Sequence, residues 1–348
     1  MGCCANCFGD SFLQKQIEEK FGTETGDCSY CGASNVLLAT PTDFQDSFEQ
    51  LIGIYYRGRG KILVNWLKAD WRLFDNLSNA QANRLLSEIL ESEDIVRRQF
   101  QLSIPDDGSS LERWHEFRDE LMHENRFFPK KVPDLVQLGK LLEGYLCAEA
   151  GCIPKTLYRA RIIDGDQPHP HEEMGKPSQM QAANGRANPA GIPYLYLASD
   201  IDTAITEIRP NVGDNVCVSE FIMVPGLRVV DLRNPRTTVS PFFSLSNEDD
   251  ISHLRKDIDF LCQLGEELTR PVLPKAAHIE YLPSQYLCEF IKDRGFDGVM
   301  YRSSVSVGSN FALFDKELKP VGNVRQYNII RITVDKEEYR IDTSTVAT

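Results

Sequence analysis

The sequence predicts an α+β protein in which a small cysteine-rich module and a helical region precede a mixed domain of strands and helices. The first 35 residues contain two Cys-x-x-Cys pairs, and residues 40–148 show the spacing of amphipathic helices. From about residue 153, short runs rich in β-branched and aromatic side chains alternate with helical stretches. We therefore expect a cysteine module at 1–38, an all-helical domain at 39–150, an α+β domain at 151–340 and a flexible tail at 341–348.

The composition favours a soluble protein that binds a small ligand. A chain of 348 residues with 42% hydrophobic residues can bury a sizeable core. Its net charge of -13 makes nucleic acid an unfavourable partner, because such binding depends on basic patches. The sequence shows neither a secretory signal nor an apolar run of membrane-spanning length, so we expect a cytoplasmic protein without membrane contact.

The two cysteine pairs have the spacing of a structural zinc site, since thiolates three residues apart can turn back on one metal. A glycine close behind each pair, Gly9 and Gly32, allows the tight turn that this geometry needs. Cys3 is an alternative to its neighbour as the first ligand. The predicted zinc ligands are Cys4, Cys7, Cys28 and Cys31.

The region between residues 40 and 148 reads as helical throughout. A first helix, capped by Thr42 or Asp43, carries a core-facing stripe that runs from Phe44 to Tyr55. Further helices are predicted at 62–71, 79–90 with Ser78 as a cap, 111–124 and 136–148. No strand is predicted in this region.

The last part of the chain mixes strand-length apolar runs with helical stretches and one long loop. The polar segment 165–191, rich in Gly, Pro and His, is expected to be a long loop, and long loops in compact domains are usually functional or disordered. Strands are predicted at 157–163, 194–197, 216–223, 229–232, 299–301, 311–314 and 327–334, and helices at 200–208, 251–268 and 284–293.

Several side chains in this domain suit a dinucleotide. Arginines pair with pyrophosphate oxygens, and Arg159 and Arg161 lie on one predicted strand, where we expect one of them to be solvated or ion-paired. A carboxylate such as Glu207 can hydrogen-bond a ribose and favour the positive charge that develops when an N-glycosidic bond breaks. Taken alone, a helical glutamate is most often a surface charge, so these residues by themselves predict only a ligand-binding α+β domain.

The order of the motifs makes this domain resemble the RES family, named for an arginine, a glutamate and a serine. The resemblance is collinear and spans residues 156–316. Its motifs are Tyr-Arg at 158, Gly-Arg-x-Asn-Pro-x-Gly at 185, Leu-Tyr-x-Ala at 195, Ala-x-x-Glu at 204, Tyr-x-x-Ser-Gln at 281, Gly-Phe-Asp-Gly at 295, Tyr-x-Ser at 301 and Asn-x-x-Leu-Phe at 310.

This resemblance implies an ADP-ribosyltransferase-like fold that consumes NAD⁺ by hydrolysis or phosphorolysis, with protein mono-ADP-ribosylation as an alternative. It also implies a toxin or phage-defence effector that arrests growth, with an antitoxin or regulatory protein as partner and a homo-oligomer as an option. The site residues carried over are Arg159 and Arg186 for the phosphates, Tyr196 on the nicotinamide side, Asn188 in the substrate-binding segment, Glu207 as the catalytic carboxylate, and Ser303, or alternatively Ser304, to complete the site. Family members often carry tryptophan where this chain has Ala187.

Two other readings concern the N-terminal half, which resembles a zinc and HEPN-like helical module found ahead of some RES domains. Arg118 and His123 have the spacing of a metal-independent RNase motif, in which the histidine handles protons and the arginine supports the phosphate. A non-enzymatic zinc-dependent binding module is the second reading. It would rest on a basic loop with Arg57, Arg59 and Lys61.

Overall fold

The computed structural model describes residues 2–102, 109–148, 150–165, 167–243 and 248–333, and it shows an α+β protein. Within these ranges we find no helix with the length and apolarity needed to cross a membrane. The predicted tail at 341–348 lies outside the described residues.

The N-terminal module is built from short elements. The backbone of Leu13 donates to the side chain of Asp10, which caps the second helix. The elements are α1 (Ala5–Phe8), α2 (Ser11–Gln16), a π-helical turn (Ile17–Phe21), and two antiparallel strands, β1 (Glu24–Gly26) and β2 (Val36–Leu38).

The next region is mainly helical, as predicted, but it also contains two strands. Ser78 caps its helix as expected, whereas the first helix follows a 3₁₀ turn that is capped by Thr40 rather than by Thr42 or Asp43. The last helix ends at Tyr145, because Cys147 forms an antiparallel bridge with Val230. The helices are α3 (Gln45–Ile52), α4 (Leu63–Trp71), α5 (Asn79–Ile89), α6 (Ser109–His123) and α7 (Leu135–Tyr145).

The two strands, β3 (Tyr55–Ile62) and β4 (Gln99–Leu102), form an antiparallel ribbon. The expectation of an all-helical region without strands is corrected here. Arg57, Arg59 and Lys61 therefore lie on a strand and not in a loop. The sequence concealed this strand, because its Arg-Gly-Arg-Gly segment lacks the apolar alternation that marks a half-buried strand.

A seven-stranded sheet forms the centre of the C-terminal domain. Six of its strands lie at the predicted positions, whereas the last is Val321–Asn328 and not 327–334, since residues 329–333 belong to no strand. The order is β11-β7-β5-β6-β10-β9-β8, antiparallel except for the parallel pair β8–β9. The strands are β5 (Thr156–Ile162), β6 (Leu195–Ala198), β7 (Asn215–Ile222), β8 (Val229–Asp231), β9 (Gly298–Arg302), β10 (Ser309–Leu313) and β11 (Val321–Asn328). The helices are α8 (Ile201–Glu207), α9 (Pro235–Thr238), α10 (Glu248–Thr269), α11 (Ala277–Glu280) and α12 (Leu282–Asp293).

One hydrophobic core runs through all three parts of the chain. Phe8 of the cysteine module packs 6.1 Å from Phe48 of the helical region, measured between ring centroids. Phe48 in turn lies 5.1 Å from Phe242 of the C-terminal domain. Phe117 of α6 meets Tyr286 of α12 at 4.7 Å. The N-terminal parts therefore pack against the domain that carries the sheet and share its core.

A buried ion pair crosses the same interface. Both nitrogens of the Arg255 fork approach the Asp70 carboxylate, at 2.7 and 3.2 Å, and the Tyr55 hydroxyl donates to it at 2.8 Å. The side chains of Asp70 and Arg255 are only 9% and 13% exposed. A carboxylate with these partners fixes the helical region against α10.

We expect Asp70→Ala to lower the free energy of unfolding by about 3–5 kcal/mol, because it leaves the Arg255 charge buried without this partner. Asp75→Ala is the matched control. It breaks the more exposed Arg72–Asp75 pair and should change stability by less than about 1 kcal/mol. Urea denaturation followed by circular dichroism measures both, and equal effects of the two substitutions would contradict the assignment.

Candidate functional site

The four predicted zinc ligands come together in the N-terminal module. Their sulfur atoms all lie within 4.8 Å of one another. The Sγ–Sγ distances are 3.9 Å for Cys4–Cys7, 3.5 Å for Cys4–Cys31 and 3.3 Å for Cys7–Cys28. Tetrahedral zinc with its usual bond lengths to sulfur separates its ligands by about 3.8 Å, so this arrangement fits a four-coordinate metal.

The backbone around the cluster settles which cysteines belong to it. Cys3 points away, since its thiol lies 3.4 Å from the carbonyl of Ala39 and its backbone pairs with the same residue. Cys4 is therefore the member of the cluster, as predicted. Gly9 and Gly32 adopt φ values of 68° and 75°, the left-handed conformation that suits glycine at a tight turn.

Burial favours the protonated form of two thiols of the cluster, those of Cys4 and Cys7. Burial raises the pKa of Cys4 to about 11, and it also raises that of Cys7. Burial acts in the same direction on Cys28, but hydrogen bonds from the backbone of Cys31 and Tyr30 outweigh it and lower the pKa to about 7. A divalent metal would displace the remaining protons, and all four ligand positions would then be filled by protein.

The second cysteine pair, Cys28 and Cys31, lies in a loop that is attached to the helical region. The Tyr30 hydroxyl donates to Glu88 of α5 at 2.5 Å, and the Tyr30 carbonyl accepts from Gln81 at 2.7 Å. Near the first cysteine pair, Asn76 donates to the carbonyl of Asn6 at 3.0 Å. These contacts fix the N-terminal module to α5 and to the loop before it.

We expect purified protein to contain one zinc per chain, and Cys28→Ser to lose both the metal and thermal stability, since a module this small depends on its metal to fold. Cys3→Ser is the matched control and should retain the metal, because Cys3 is outside the cluster. Elemental analysis with melting curves measures both. Freshly prepared protein with clearly less than one zinc per chain would contradict the site.

A cleft opens in the sheet where β5 and β6 separate. Among the described residues these strands share the single pair Tyr158↔Ala198, whereas β5 pairs along its whole length with β7. Beyond that pair, Arg159 on one strand and Tyr196 and Leu197 on the other line a cavity of about 170 Å³. A gap in the middle of a sheet exposes strand residues that would otherwise be covered.

Glu207 projects into this cavity from the end of α8. Its Oε1 atom accepts from the Ser303 hydroxyl and from the Asn310 amide, each at 2.6 Å. Ser303 is itself fixed, since its oxygen accepts from the backbone of Val305 and Ser306 at 3.2 and 3.1 Å. Two donors on one carboxylate oxygen hold the side chain in a defined orientation.

The floor of the cavity is a row of residues at one level of the sheet. Tyr158, Ala198, Asn310 and Tyr301 are consecutive cross-strand partners on β5, β6, β10 and β9. All four line the same cavity as Glu207. Burial raises the pKa of Tyr301 well above its ordinary value, so its hydroxyl stays protonated near Glu207.

Small residues bring α8 close enough to deliver Glu207. Ala160 and Ala198 on the sheet face Ala204 on the helix, and the three form a small apolar cluster. Asp200 caps the helix by accepting from the Thr203 backbone at 2.8 Å. Glu207 is half-buried by this approach and is not the surface charge that its helical context alone suggested.

The turn after Ser303 also depends on close packing. A Cβ on Gly308 would lie 2.2 Å from the Thr203 hydroxyl and 2.4 Å from a carboxylate oxygen of Asp200, so only glycine fits. Thr203 and Ser306 are further linked at 2.9 Å between their hydroxyl oxygens. The turn that holds Ser303 is therefore tied to the start of the helix that carries Glu207.

Both arginines of β5 point into the long loop. Arg159 donates to the carbonyl of Gly175 at 2.6 Å, and Arg161 donates to that of Glu173 at 2.8 Å. The expectation that one of them is solvated or ion-paired is corrected, because residues two apart on a strand share a face. Burial, reinforced by Arg161, lowers the pKa of Arg159 to about 10, so it remains charged at neutral pH.

A second cavity of about 620 Å³ adjoins the first and shares Arg159 and Tyr196 with it. Arg161, Lys176 and Gly185 also line it. This part of the cleft is larger than the cavity at Glu207, and its charged lining consists of three cations and two carboxylates, the latter from Glu172 and Glu173.

Hydrogen bonds from Tyr196 and from within the loop itself hold the segment after Gly185. The Tyr196 hydroxyl donates to Oδ1 of Asn188 at 2.7 Å and accepts from the backbone of Ala187 at 3.0 Å. The Asn188 amide donates to three carbonyls of its own loop at 2.8–3.0 Å. Ala187, where family members often carry tryptophan, is fully buried.

The start of α12 clamps the same segment from the other side. Ser284 donates to the carbonyl of Arg186 at 2.7 Å, and the Gln285 amide lies 2.8 Å from the carbonyl of Gly185. The Arg186 guanidinium donates to the Arg270 carbonyl at 2.9 Å. The Ser-Gln motif of the sequence therefore fixes the wall of the cleft.

The structure brings most of the predicted site residues together. Arg159, Tyr196 and Glu207 line one cavity, with Ser303 bonded to Glu207. Ser304 and Arg186 are not among the residues that line the two cavities, although Arg186 is adjacent in sequence to Gly185, which does. The sequence reasoning missed Asn310 as a site residue, and its signal was a polar side chain at the start of the apolar run 311–314.

The other candidate site, Arg118 and His123 on α6, has side chains in different surroundings. Arg118 lies 3.2 Å from a carboxylate oxygen of Glu267, a side chain that is fully buried, whereas His123 is exposed at the end of the helix. This ion pair commits the arginine to the interface with α10, and it does not support the RNase reading.

The model of the RES domain family matches residues 156–342, more than half of the chain. The chain therefore belongs to the RES family, and the resemblance drawn from its motifs is confirmed. A comparison with curated proteins gave no match. Among solved structures the chain is similar to one described as "Crystal structure of the M.tuberculosis MbcT-MbcA toxin-antitoxin complex", with a TM-score of 0.32 and 13% identity over 55% of this chain and 92% of that chain.

Proposed function

We propose that this protein cleaves the bond between nicotinamide and ribose in NAD⁺. The observation that carries the proposal is Glu207, held by Ser303 and Asn310 at the narrow end of a cleft whose wider part is lined by three cations and two carboxylates. A fixed carboxylate beside a cavity that offers two arginines fits a substrate with a glycosidic bond at one end and a pyrophosphate in the middle.

The carboxylate has one oxygen left for the substrate. Oε1 is occupied by its two donors, and in the described part of the chain Oε2 has no hydrogen-bond partner. Oε2 would accept from a ribose hydroxyl and counter the positive charge on the sugar as the bond breaks. The bonding electrons pass to the ring nitrogen, which leaves as neutral nicotinamide, and water or phosphate then attacks the sugar carbon.

The wider cavity would take the rest of the dinucleotide. Arg159 and Arg161 each use one donor on the loop, which leaves further N–H groups of each fork for phosphate oxygens. Lys176 is a third cation on the same wall. Arg186, tied to the Arg270 carbonyl, would act by holding the segment next to it, and Asn188 would do the same.

The biological role belongs to the same proposal. We infer a toxin or defence effector that arrests growth by depleting NAD⁺, restrained by an antitoxin or regulatory protein, with structural zinc in its N-terminal module. Expression of the wild type should stop growth, whereas expression of Glu207→Gln should not.

We expect Glu207→Gln to keep the fold and to abolish NAD⁺ loss, because the amide cannot counter the developing charge. Asp202→Asn is the matched control: it changes an exposed carboxylate of the same helix and should retain full activity. NAD⁺ decay is followed with and without phosphate, which separates phosphorolysis from hydrolysis. Near-wild-type decay by Glu207→Gln would show that the site assignment is wrong, and transfer of label from NAD⁺ to protein would favour ADP-ribosylation.

We expect Ser303→Ala to lower kcat by about 100-fold with little change in KM, since it frees a carboxylate that must be oriented in the transition state. Ser304→Ala decides between the two serines and should leave kcat near the wild-type value. Steady-state kinetics over a range of NAD⁺ concentrations gives both constants. A larger loss for Ser304→Ala than for Ser303→Ala would reverse the assignment.

A further inference from the structure

The geometry points to a positioning role for Arg118 and Glu267, by which the N-terminal half sets the shape of the NAD⁺ cleft wall. This inference rests on the proposed function for its kinetic consequence only, since its structural consequence concerns the free protein. The two residues lie outside the cleft and act through Arg270 and Arg186. Four successive contacts carry the argument.

The first contact joins the buried carboxylate of Glu267 to side chains of the helical region. Glu267, on α10, is 1% exposed. Its Oε1 lies 3.2 Å from Nε of Arg118 and accepts from the Trp114 indole at 3.3 Å, both on α6, and from Gln263 at 3.1 Å. Without Arg118, the buried carboxylate of Glu267 would lose its closest cation. Loss of this partner would strongly destabilise the packing of α6 against α10.

The second contact links Glu267 to the end of its own helix. Nε of Arg270 lies 3.6 Å from Oε2 of Glu267, beyond hydrogen-bond length, so attraction between charges holds the two groups. Arg270 also pairs with Glu280 at 3.0 Å and donates to the Glu280 carbonyl at 3.3 Å. The chain just after α10 is thereby fixed between the buried carboxylate and α11.

The third contact reaches the cleft wall. The carbonyl of Arg270, at the negative end of the α10 dipole, accepts from the Arg186 guanidinium at 2.9 Å. That guanidinium lies 5.0 Å above the ring of Tyr281. A shift of Arg270 therefore moves the carbonyl to which Arg186 is anchored.

The fourth contact lies within the cleft wall, which is the segment from Gly185 to Gly191. Gly185 and Asn188 line the wider cavity, and hydrogen bonds hold the wall. The backbone N–H of Gly185 donates to the Asn188 carbonyl at 2.9 Å, that of Ala187 to the Tyr196 hydroxyl at 3.0 Å, and that of Gly191 to the Ala182 carbonyl at 2.9 Å. Ser303 and Asn310, which hold Glu207, take part in none of these contacts, so loosening the wall should affect NAD⁺ binding more than the chemical step.

The experiment compares Arg118→Met with Arg118→Lys and with Arg126→Met in the full-length protein. Arg118→Met removes the charge and keeps the stem, whereas lysine retains the charge. Arg126 is exposed and has no ion pair among the described residues, so its variant controls for loss of a cation near α6. Two readouts are used: hydrogen–deuterium exchange without ligand, and kcat and KM for NAD⁺.

Arg118→Met should speed exchange at the amides of Gly185, Ala187 and Gly191 and raise KM about tenfold with kcat little changed. Arg118→Lys should recover part of the effect, and Arg126→Met should match the wild type. Unchanged exchange at these amides would overturn the inference, as would a fall in kcat alone or faster exchange across the whole helical region. If Arg118→Met does not fold, Glu267→Gln, which removes the charge at the same size, provides the same comparison.

The two readouts also separate this inference from the proposed function. If the wild type neither binds nor consumes NAD⁺, the proposed function fails, and exchange at the three amides still decides the positioning role. If the wild type consumes NAD⁺ and Arg118→Met leaves both exchange and KM unchanged, only the positioning role is overturned.

Discussion

The separation of β5 from β6 is the constraint on which the RES domain of this protein depends. The two strands touch at Tyr158↔Ala198 and then diverge, while β5 stays fully paired with β7 and β6 with β10. A sheet opened in this way exposes side chains and backbone that must be covered. The long loop covers one side with carbonyls bonded to Arg159 and Arg161. The helix α8 covers the other and brings Glu207 to the gap.

Two buried ion pairs join the N-terminal half of the molecule to the C-terminal domain. Asp70 and Glu267 are both nearly inaccessible, and each binds an arginine from the other half of the molecule. A buried ion pair adds little net stability compared with apolar packing, but separating the two halves would remove the closest charged partner of each buried carboxylate. The aromatic contacts around Phe48 supply the apolar area, and the ion pairs fix the relative position of the two halves.

Some of this could be expected from particular residues, and some could not. Ser78 and the pattern that follows it specified a helix correctly, because capping and periodicity act over a few residues. The ribbon β3–β4 was missed, because its two strands pair across more than thirty residues of sequence, and because β3 carries no apolar alternation and β4 is only four residues long. Asn310 was missed for a related reason: its role depends on Glu207, which comes from another element.

The sequence by itself determined the local geometry and the membership of the family. The spacing of Cys4, Cys7, Cys28 and Cys31 and the order of the RES motifs are properties of the chain read in one direction. Only the tertiary structure decided that Cys3 faces Ala39, that Arg161 binds the loop, and that Arg118 pairs with Glu267. These outcomes depend on which distant groups compete for the same thiol or guanidinium, and local spacing holds no information about that competition.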